Sequence, residues 1–160
     1  MELNDPHVTI LIVEDNPDDA ELAVIALKQK GIKTPYRIAR NADEALEIAL
    51  GRRLPVSGRP TASPATAPAT TPTLVLLDLK LPGKSGLEVL KELRAAPSTR
   101  YVPIVVLTTS VLEEDMIQSY EHGANSFIRK PVDFSTFLHE IELVCHYWLD
   151  TNLQPKKSPV

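Results

Sequence analysis

Four short runs in this chain are apolar without interruption, and each leads to a polar residue capable of chemistry. Ile10-Leu11-Ile12-Val13 runs into Glu14-Asp15, and Leu74-Val75-Leu76-Leu77 runs into Asp78. Ile104-Val105-Val106-Leu107 runs into Thr108, and Phe127-Ile128 leads to Lys130. A strand that is apolar at every position is buried on both faces, the pattern of a parallel sheet covered by helices on each side. Such a sheet brings the ends of its strands to one edge, where ligands of open α/β sheets collect. The polar residues are therefore expected together at that edge.

The segments between the runs carry helix signals. Asn16-Pro17 before Asp18-Asp19 reads as an N-cap, a proline at the first position and acids in the first turn, with Gly31 as a stop. Asn41 with Glu44, Ser85 with Glu88, and Ser110 with Glu113 have capping-box spacing. Gly51 and Gly123 sit where C-terminal caps belong. Asp133 starts a last helix ending near Leu149 or Asp150. Its core stripe is Phe134, Phe137, Leu138, Ile141, Val144, Cys145 and Trp148. Tyr36 to Arg40 reads as a weaker edge strand. The expectation is an α/β fold: a doubly wound five-stranded parallel sheet in the flavodoxin-like order 2-1-3-4-5, with five helices and right-handed crossovers.

One domain is expected over residues 1–150, followed by a short polar tail, 151–160. Residues 52–72 hold five prolines among many Ala, Thr and Ser, which predicts a long solvated loop. Because helices run antiparallel to the strands, that loop falls at the edge opposite Asp78. The formal net charge of -4 gives no basic footprint, so no nucleic-acid partner is expected. The single cysteine, Cys145, excludes an intramolecular disulfide framework. No apolar stretch approaches the roughly 20 residues of a membrane span. A cytoplasmic domain with no membrane partner is expected.

Glu14, Asp15 and Asp78 converge at the ends of neighbouring strands in this reading. Two carboxylates about 4 Å apart repel by roughly 4 kcal/mol at an effective dielectric near 20, so three must protonate, hold a cation, or both. Oxygen-only ligands favour a hard ion such as Mg2+, and no His or Cys pattern suggests zinc. Lys130 adds a positive charge and Thr108 a hydroxyl, so Asp78 has what a carboxylate needs to accept a phosphoryl group. Singly, Asp78 could be a turn former, Glu14-Asp15 a solvated helix start, Thr108 a plain strand residue and Lys130-Pro131 a plain turn. Jointly those readings require four coincidences at one sheet edge.

The segments "ILIVEDNPDD", "LVLLDLKLPGKSGLEVL", "PIVVLTTS" and "GANSFIRKP" stand in an order that resembles the receiver domains of two-component response regulators. The resemblance spans nearly the whole chain. It implies Mg2+-assisted transfer of a phosphoryl group to Asp78 from a phosphohistidine of a sensor histidine kinase. It implies metal ligation by Asp15, by Glu14 largely through water, by Asp78 and by the backbone carbonyl of Lys80. Thr108 matches the hydroxyl that turns toward the phosphate, Phe127 the switch aromatic and Lys130 the lysine that pairs with phosphoryl oxygens. A cis peptide before Pro131 is also implied. Ser85 stands where the family often has Asp, and Phe127 lacks the hydroxyl of the commoner tyrosine. "VEDNPDDAEL" and the last helix ending "YWL" resemble the small regulators that partner bacterial phytochromes.

No DNA-binding effector fits after the last helix, so the expected output is the domain's own surface. Leu143 and Tyr147 lie off the core stripe of the last helix with Glu140, and Met116 and Tyr120 extend that face. A homodimer through the fourth helix, fifth strand and fifth helix is expected. An aspartyl phosphatase would need a second Asp where Lys80 stands. A flavin or dinucleotide site would need a glycine- or threonine-rich loop where Glu14-Asp15 stand, and a P-loop would need glycine at position 78. A non-phosphorylated scaffold remains the other reading.

Overall fold

The computed structural model describes residues 8–51 and 71–155. Strands and helices alternate: β1 (Ile10–Val13), α1 (Pro17–Gln29), β2 (Tyr36–Ala39), α2 (Ala42–Leu50), β3 (Leu74–Leu77), α3 (Gly86–Ala95), β4 (Ile104–Thr108), α4 (Glu113–Glu121), β5 (Ser126–Arg129) and α5 (Phe134–Cys145). The sheet order is β2-β1-β3-β4-β5, and every pairing is parallel. The fold expected from the four apolar runs is the fold found. Most of the 52–72 segment lies outside the described residues.

Residues alternate between two cores because successive strand side chains point to opposite faces. Ile10, Ile12, Leu74, Leu76, Val105 and Leu107 pack with Leu27 of α1 and with Ile141 and Cys145 of α5. Leu11, Val13, Val75, Leu77, Ile104 and Val106 pack with Leu46 of α2 and with Val89, Leu90 and Leu93 of α3. Neither parity can be polar, which explains the uninterrupted runs.

Most predicted caps are present. The Asn16 side chain accepts the N–H groups of Asp18 and Asp19, and Asp133 accepts that of Thr136. Ser85 and Glu88 form a reciprocal capping box. Gly51 ends α2 in the left-handed region at φ 67°. Asn41 caps Glu44 as expected, but the Glu44 carboxylate takes the N–H of Arg40.

Four expectations fail. The Ser110 and Glu113 box does not form: α4 begins at Glu113 with Leu112 at its N-cap and no side-chain cap, because the Ser110 hydroxyl bonds Asp115 instead. β5 is half-buried rather than fully buried, since it is the sheet edge and α4 contributes only Ser119 to the buried residues. Phe134 is 37% exposed, because it sits at the first turn of α5 beyond the end of the sheet. Among the described residues there is no cis peptide, so the bond before Pro131 is trans. The fifth helix also continues past Cys145 as a π-helical segment, His146–Thr151. No helix among the described residues is long and apolar enough to cross a membrane.

Candidate functional site

The sheet pairing itself assembles the site. Val13 lies opposite Leu77, and the Asp78 N–H donates to the Val13 carbonyl at 3.0 Å. The Glu14 N–H donates to the Ala39 carbonyl at 2.9 Å, so Glu14 and Asp78 leave the sheet side by side. The Lys130 N–H donates to the Thr108 carbonyl at 2.7 Å, which hooks the end of β5 onto the end of β4. Glu14 and Asp78 are buried, whereas Asp15 points out and is exposed. One carboxylate oxygen from each of Glu14, Asp15 and Asp78 lies within 4.8 Å of the others.

Lys130 sits among these acids with its side chain 10% exposed. Its ammonium donates to Glu14 at 2.5 Å, to Asp19 at 3.1 Å and to Asp78 at 3.3 Å. Three N–H groups thus meet three carboxylates. The other Asp78 oxygen accepts the Lys80 N–H at 3.1 Å, and Glu14 accepts the Asn16 N–H at 3.1 Å.

The electrostatics show a cluster short of positive charge. Burial, helped by the nearby Asp78 charge, pushes Glu14 up to about 7, and its bond to Lys130 only partly opposes this. Burial works against the charge on Lys130, but Glu14, Asp78 and Asp19 outweigh it and hold its pKa above the ordinary value. Lys130 is therefore a permanent cation, and Glu14 is the acid that gives way.

The close approach of α3 fixes the remaining wall. A Cβ on Gly86 would lie 2.2 Å from the Asp78 carbonyl oxygen. The Gly86 N–H donates to the Leu79 carbonyl at 2.9 Å, so glycine lets the helix start press against the residue carrying the carboxylate. On the other side a cavity of about 280 Å³ opens from Asp78 and Lys130 between α1 and the β5–α5 loop. Its polar end is Glu14, Asp19, Asp78 and Lys130, and its apolar end includes Leu22, Leu107, Val132 and Phe134.

The sequence-derived residues fall into three groups. Glu14, Asp15, Asp78 and Lys130 are brought together, and Lys80 touches Asp78 through its N–H. Thr108 is fully buried at the end of β4, but its hydroxyl accepts the Ser110 N–H at 3.2 Å, and that bond runs to the β4–α4 loop rather than to Asp78. Phe127 is half-buried against the α2–α3 core. Met116 is half-buried, while Tyr120, Leu143 and Tyr147 are about half exposed on α4, α5 and the segment after it, away from the site. Asp19 was missed: the acids after Pro17 fit a helix start, and only its place four residues beyond Asp15 hinted at a second role.

A buried carboxylate, two further acids and a fixed lysine at the carboxyl edge of a parallel sheet define a distinct class of α/β domain. The chain belongs to the response regulator receiver domain family, whose match covers residues 59–142. It is 36% identical over 154 residues to the response regulator Rcp1 of Synechocystis sp., covering 96% of this chain and 97% of that protein. It is 34% identical to the probable methanogenesis regulatory protein FilR2 of Methanothrix harundinacea, covering 97% and 92%. Among solved structures, the phosphorylated cyanobacterial phytochrome response regulator RcpA matches with a TM-score of 0.80 and 32% identity, over 94% of this chain and 99% of that one. The Mn(2+)-bound form of Rcp1 matches with a TM-score of 0.75 and 33% identity, over 92% and 99%. The chain is thus similar over nearly its whole length to stand-alone phytochrome response regulators. Receiver domains of this kind are signalling proteins rather than classical enzymes.

Proposed function

We propose that this chain is a single-domain response regulator that accepts a phosphoryl group on Asp78 from a sensor histidine kinase. The kinase is of the phytochrome-linked kind and the protein acts in the cytoplasm. The observation that carries the reading is the Asp78 carboxylate held between the Lys80 N–H and the Lys130 ammonium, beside Glu14 and Asp15.

The donor set suits a hard divalent cation: three carboxylate oxygens within 4.8 Å, one of them on Glu14, whose burial beside the Asp78 charge raises its pKa. Glu14, Asp15, Asp78 and the Lys80 carbonyl are the residues to hold it, and Mg2+ fits a site offering few carboxylates plus water. Bound there, such an ion would neutralise charge on the oxygens of the transferring phosphoryl group. The Asp78 carboxylate attacks phosphorus, the phosphorus–nitrogen bond to the donor imidazole breaks, and the electron pair stays on that nitrogen. Lys130, already 3.3 Å from Asp78, shifts its donors onto the phosphoryl oxygens. Thr108 turns its hydroxyl toward them, and Phe127 follows by packing. The chain thereby assists its own phosphorylation and, with water as the acceptor, its own dephosphorylation.

Residues 1–150 act as one domain in this reading. The 52–72 segment, most of it outside the described residues, stands in sequence between α2 and β3, and no part in the chemistry is proposed for it. Output passes through the α4–β5–α5 face, where Ile117, Tyr120, Leu143 and Tyr147 are each about half exposed, and a second copy of the chain is the proposed occupant.

The test is incubation with Mg2+ and acetyl phosphate, read by intact mass. One added phosphate, absent in Asp78→Asn, is expected. A native chain that takes up none would sink the assignment.

A further inference from the structure

Three large apolar side chains stand at the rim of the site. Val132 is fully exposed, and Leu22 and Phe134 are each more than a third exposed. Single exposed apolar residues need no explanation, but these three line one cavity. Its floor is the sheet face that α1 and α5 cover, with Ile12, Leu76 and Leu107 from the adjacent strands β1, β3 and β4. Leu22 of α1 stands on one side, and Val132 and Phe134, before and at the start of α5, stand on the other.

The cavity is chemically divided. At one end are Asp78 and Lys130, 3.3 Å apart, and at the other only carbon faces the space. Its volume of about 280 Å³ is close to the lower end of small-molecule pockets, about 300–1,000 Å³, and exceeds what a phosphoryl group alone fills. The approach to Asp78 is restricted elsewhere. The start of α3 packs against its main chain at Gly86, and the Lys80 N–H occupies the carboxylate oxygen that does not face Lys130. A donor that meets the remaining oxygen therefore has its leaving group in the cavity that Asp78 and Lys130 share.

We propose that this cavity is an acyl subsite, and that the small-molecule phosphodonors of this chain are acyl phosphates with an apolar acyl group, selected by Leu22, Val132 and Phe134. The inference rests on phosphoryl transfer to Asp78. The Asp78 carboxylate oxygen attacks phosphorus, the bond from phosphorus to the acyl oxygen breaks, and its electron pair leaves on the acyl carboxylate. One mixed anhydride replaces another, so the step needs no proton, oxidant or further reactant. Acetyl phosphate offers the apolar end a single methyl group, whereas butanoyl phosphate adds two CH2 groups. A fully buried CH2 contributes about fourfold in affinity, so about tenfold is expected for two that are partly exposed at the mouth. Acetate and butanoate are leaving groups of nearly equal basicity, so a difference between the two donors reports the cavity rather than the bond broken.

The experiment compares acetyl and butanoyl phosphate as donors to the full chain with Mg2+ present, following phosphate uptake by intact mass. The native chain should reach half-saturation at about tenfold lower butanoyl phosphate than acetyl phosphate. In Leu22→Asn and in Val132→Ser that ratio should fall to about twofold, and the exposure of Val132 means that its substitution leaves the core untouched. A second arm measures binding without transfer. Pentylphosphonate, which cannot give up its phosphorus, should shift the methyl resonances of Leu22 and Val132 at concentrations where methylphosphonate shifts neither. Three results would overturn the proposal: equal half-saturation by the two donors, a ratio that survives both substitutions, or methyl resonances that pentylphosphonate leaves in place. Absence of an adduct from either donor would instead count against the phospho-acceptor assignment, and the phosphonate arm would still decide whether the cavity takes an apolar chain.

Discussion

At the scale of single residues, Glu14 makes the stability of the chain depend on pH. Its carboxyl titrates at about 7 in the folded chain against 4.5 as its ordinary value. Between those values the folded chain keeps a proton that the unfolded chain has lost. Stability therefore falls as pH rises through this window, by up to about 3 kcal/mol, and levels off above it. A divalent cation favours ionised Glu14 and reduces the fall. Urea unfolding at about pH 5 and pH 8, with chelator and with Mg2+, checks both statements. The same fall in Glu14→Gln would assign the slope to another group. Lys130 adds nothing to this window, because its raised pKa keeps it charged throughout. Gly86 supports a second prediction. With a Cβ placed 2.2 Å from the Asp78 carbonyl, Gly86→Ala forces α3 or the end of β3 to shift. A loss of about 1–3 kcal/mol in denaturant unfolding is expected, together with slower phosphate uptake, since the atom displaced belongs to the proposed acceptor residue. Neither effect was legible in the sequence, which places Gly86 at a helix start but says nothing of the carbonyl opposite.

At the scale of elements, Arg94 binds two loops to one helix. From α3 its guanidinium donates to the carbonyls of Gly123 at 2.8 Å, Val102 at 2.7 Å and Arg100 at 3.1 Å, and to the Asn125 side chain at 2.8 Å. It thereby fixes the connection into β4 and the end of α4 relative to α3. Arg94→Met is expected to cost about 2–4 kcal/mol, because several carbonyls lose their donor at once. Arg94→Lys should recover little, since an ammonium cannot reproduce the fork. Equilibrium unfolding of the two variants measures this, and a near-native Arg94→Lys would show that charge rather than geometry matters. The elements were otherwise well marked by their caps. Asn16, Asn41, Ser85 and Asp133 cap as their spacing indicates, because such bonds are local. Ser110 and Glu113 have the same spacing and do not cap, because Ser110 is held by Thr108, Asp115 and Arg129, two of which lie outside its own loop and helix.

At the scale of the whole molecule, the exposed apolar side chains of α4 and α5 bear on self-association. Ile117, Tyr120, Leu143 and Tyr147 are 49%, 50%, 56% and 49% exposed, more than single scattered residues would explain if they join into one face. Sedimentation at high micromolar concentration should show a dimer that Leu143→Asp or Tyr147→Asp weakens by about tenfold or more, the scale of one lost interface anchor. Only monomer, with Asp78 phosphorylated and unphosphorylated alike, would exclude it. The sequence by itself determined the layered architecture, because short runs apolar at both parities, alternating with capped helix segments, fit strands covered on both faces. It also determined that Glu14, Asp15, Asp78 and Lys130 meet, because parallel strands end at one edge. Tertiary structure alone decided that Asp19 becomes the third partner of Lys130, that the Thr108 hydroxyl turns to Ser110, and that Gly86 presses on Asp78. Periodicity fixes which strand a residue ends and which face it takes. It carries no information on distances between side chains arriving from different elements, and those distances set the site's charge balance and its connection to α4.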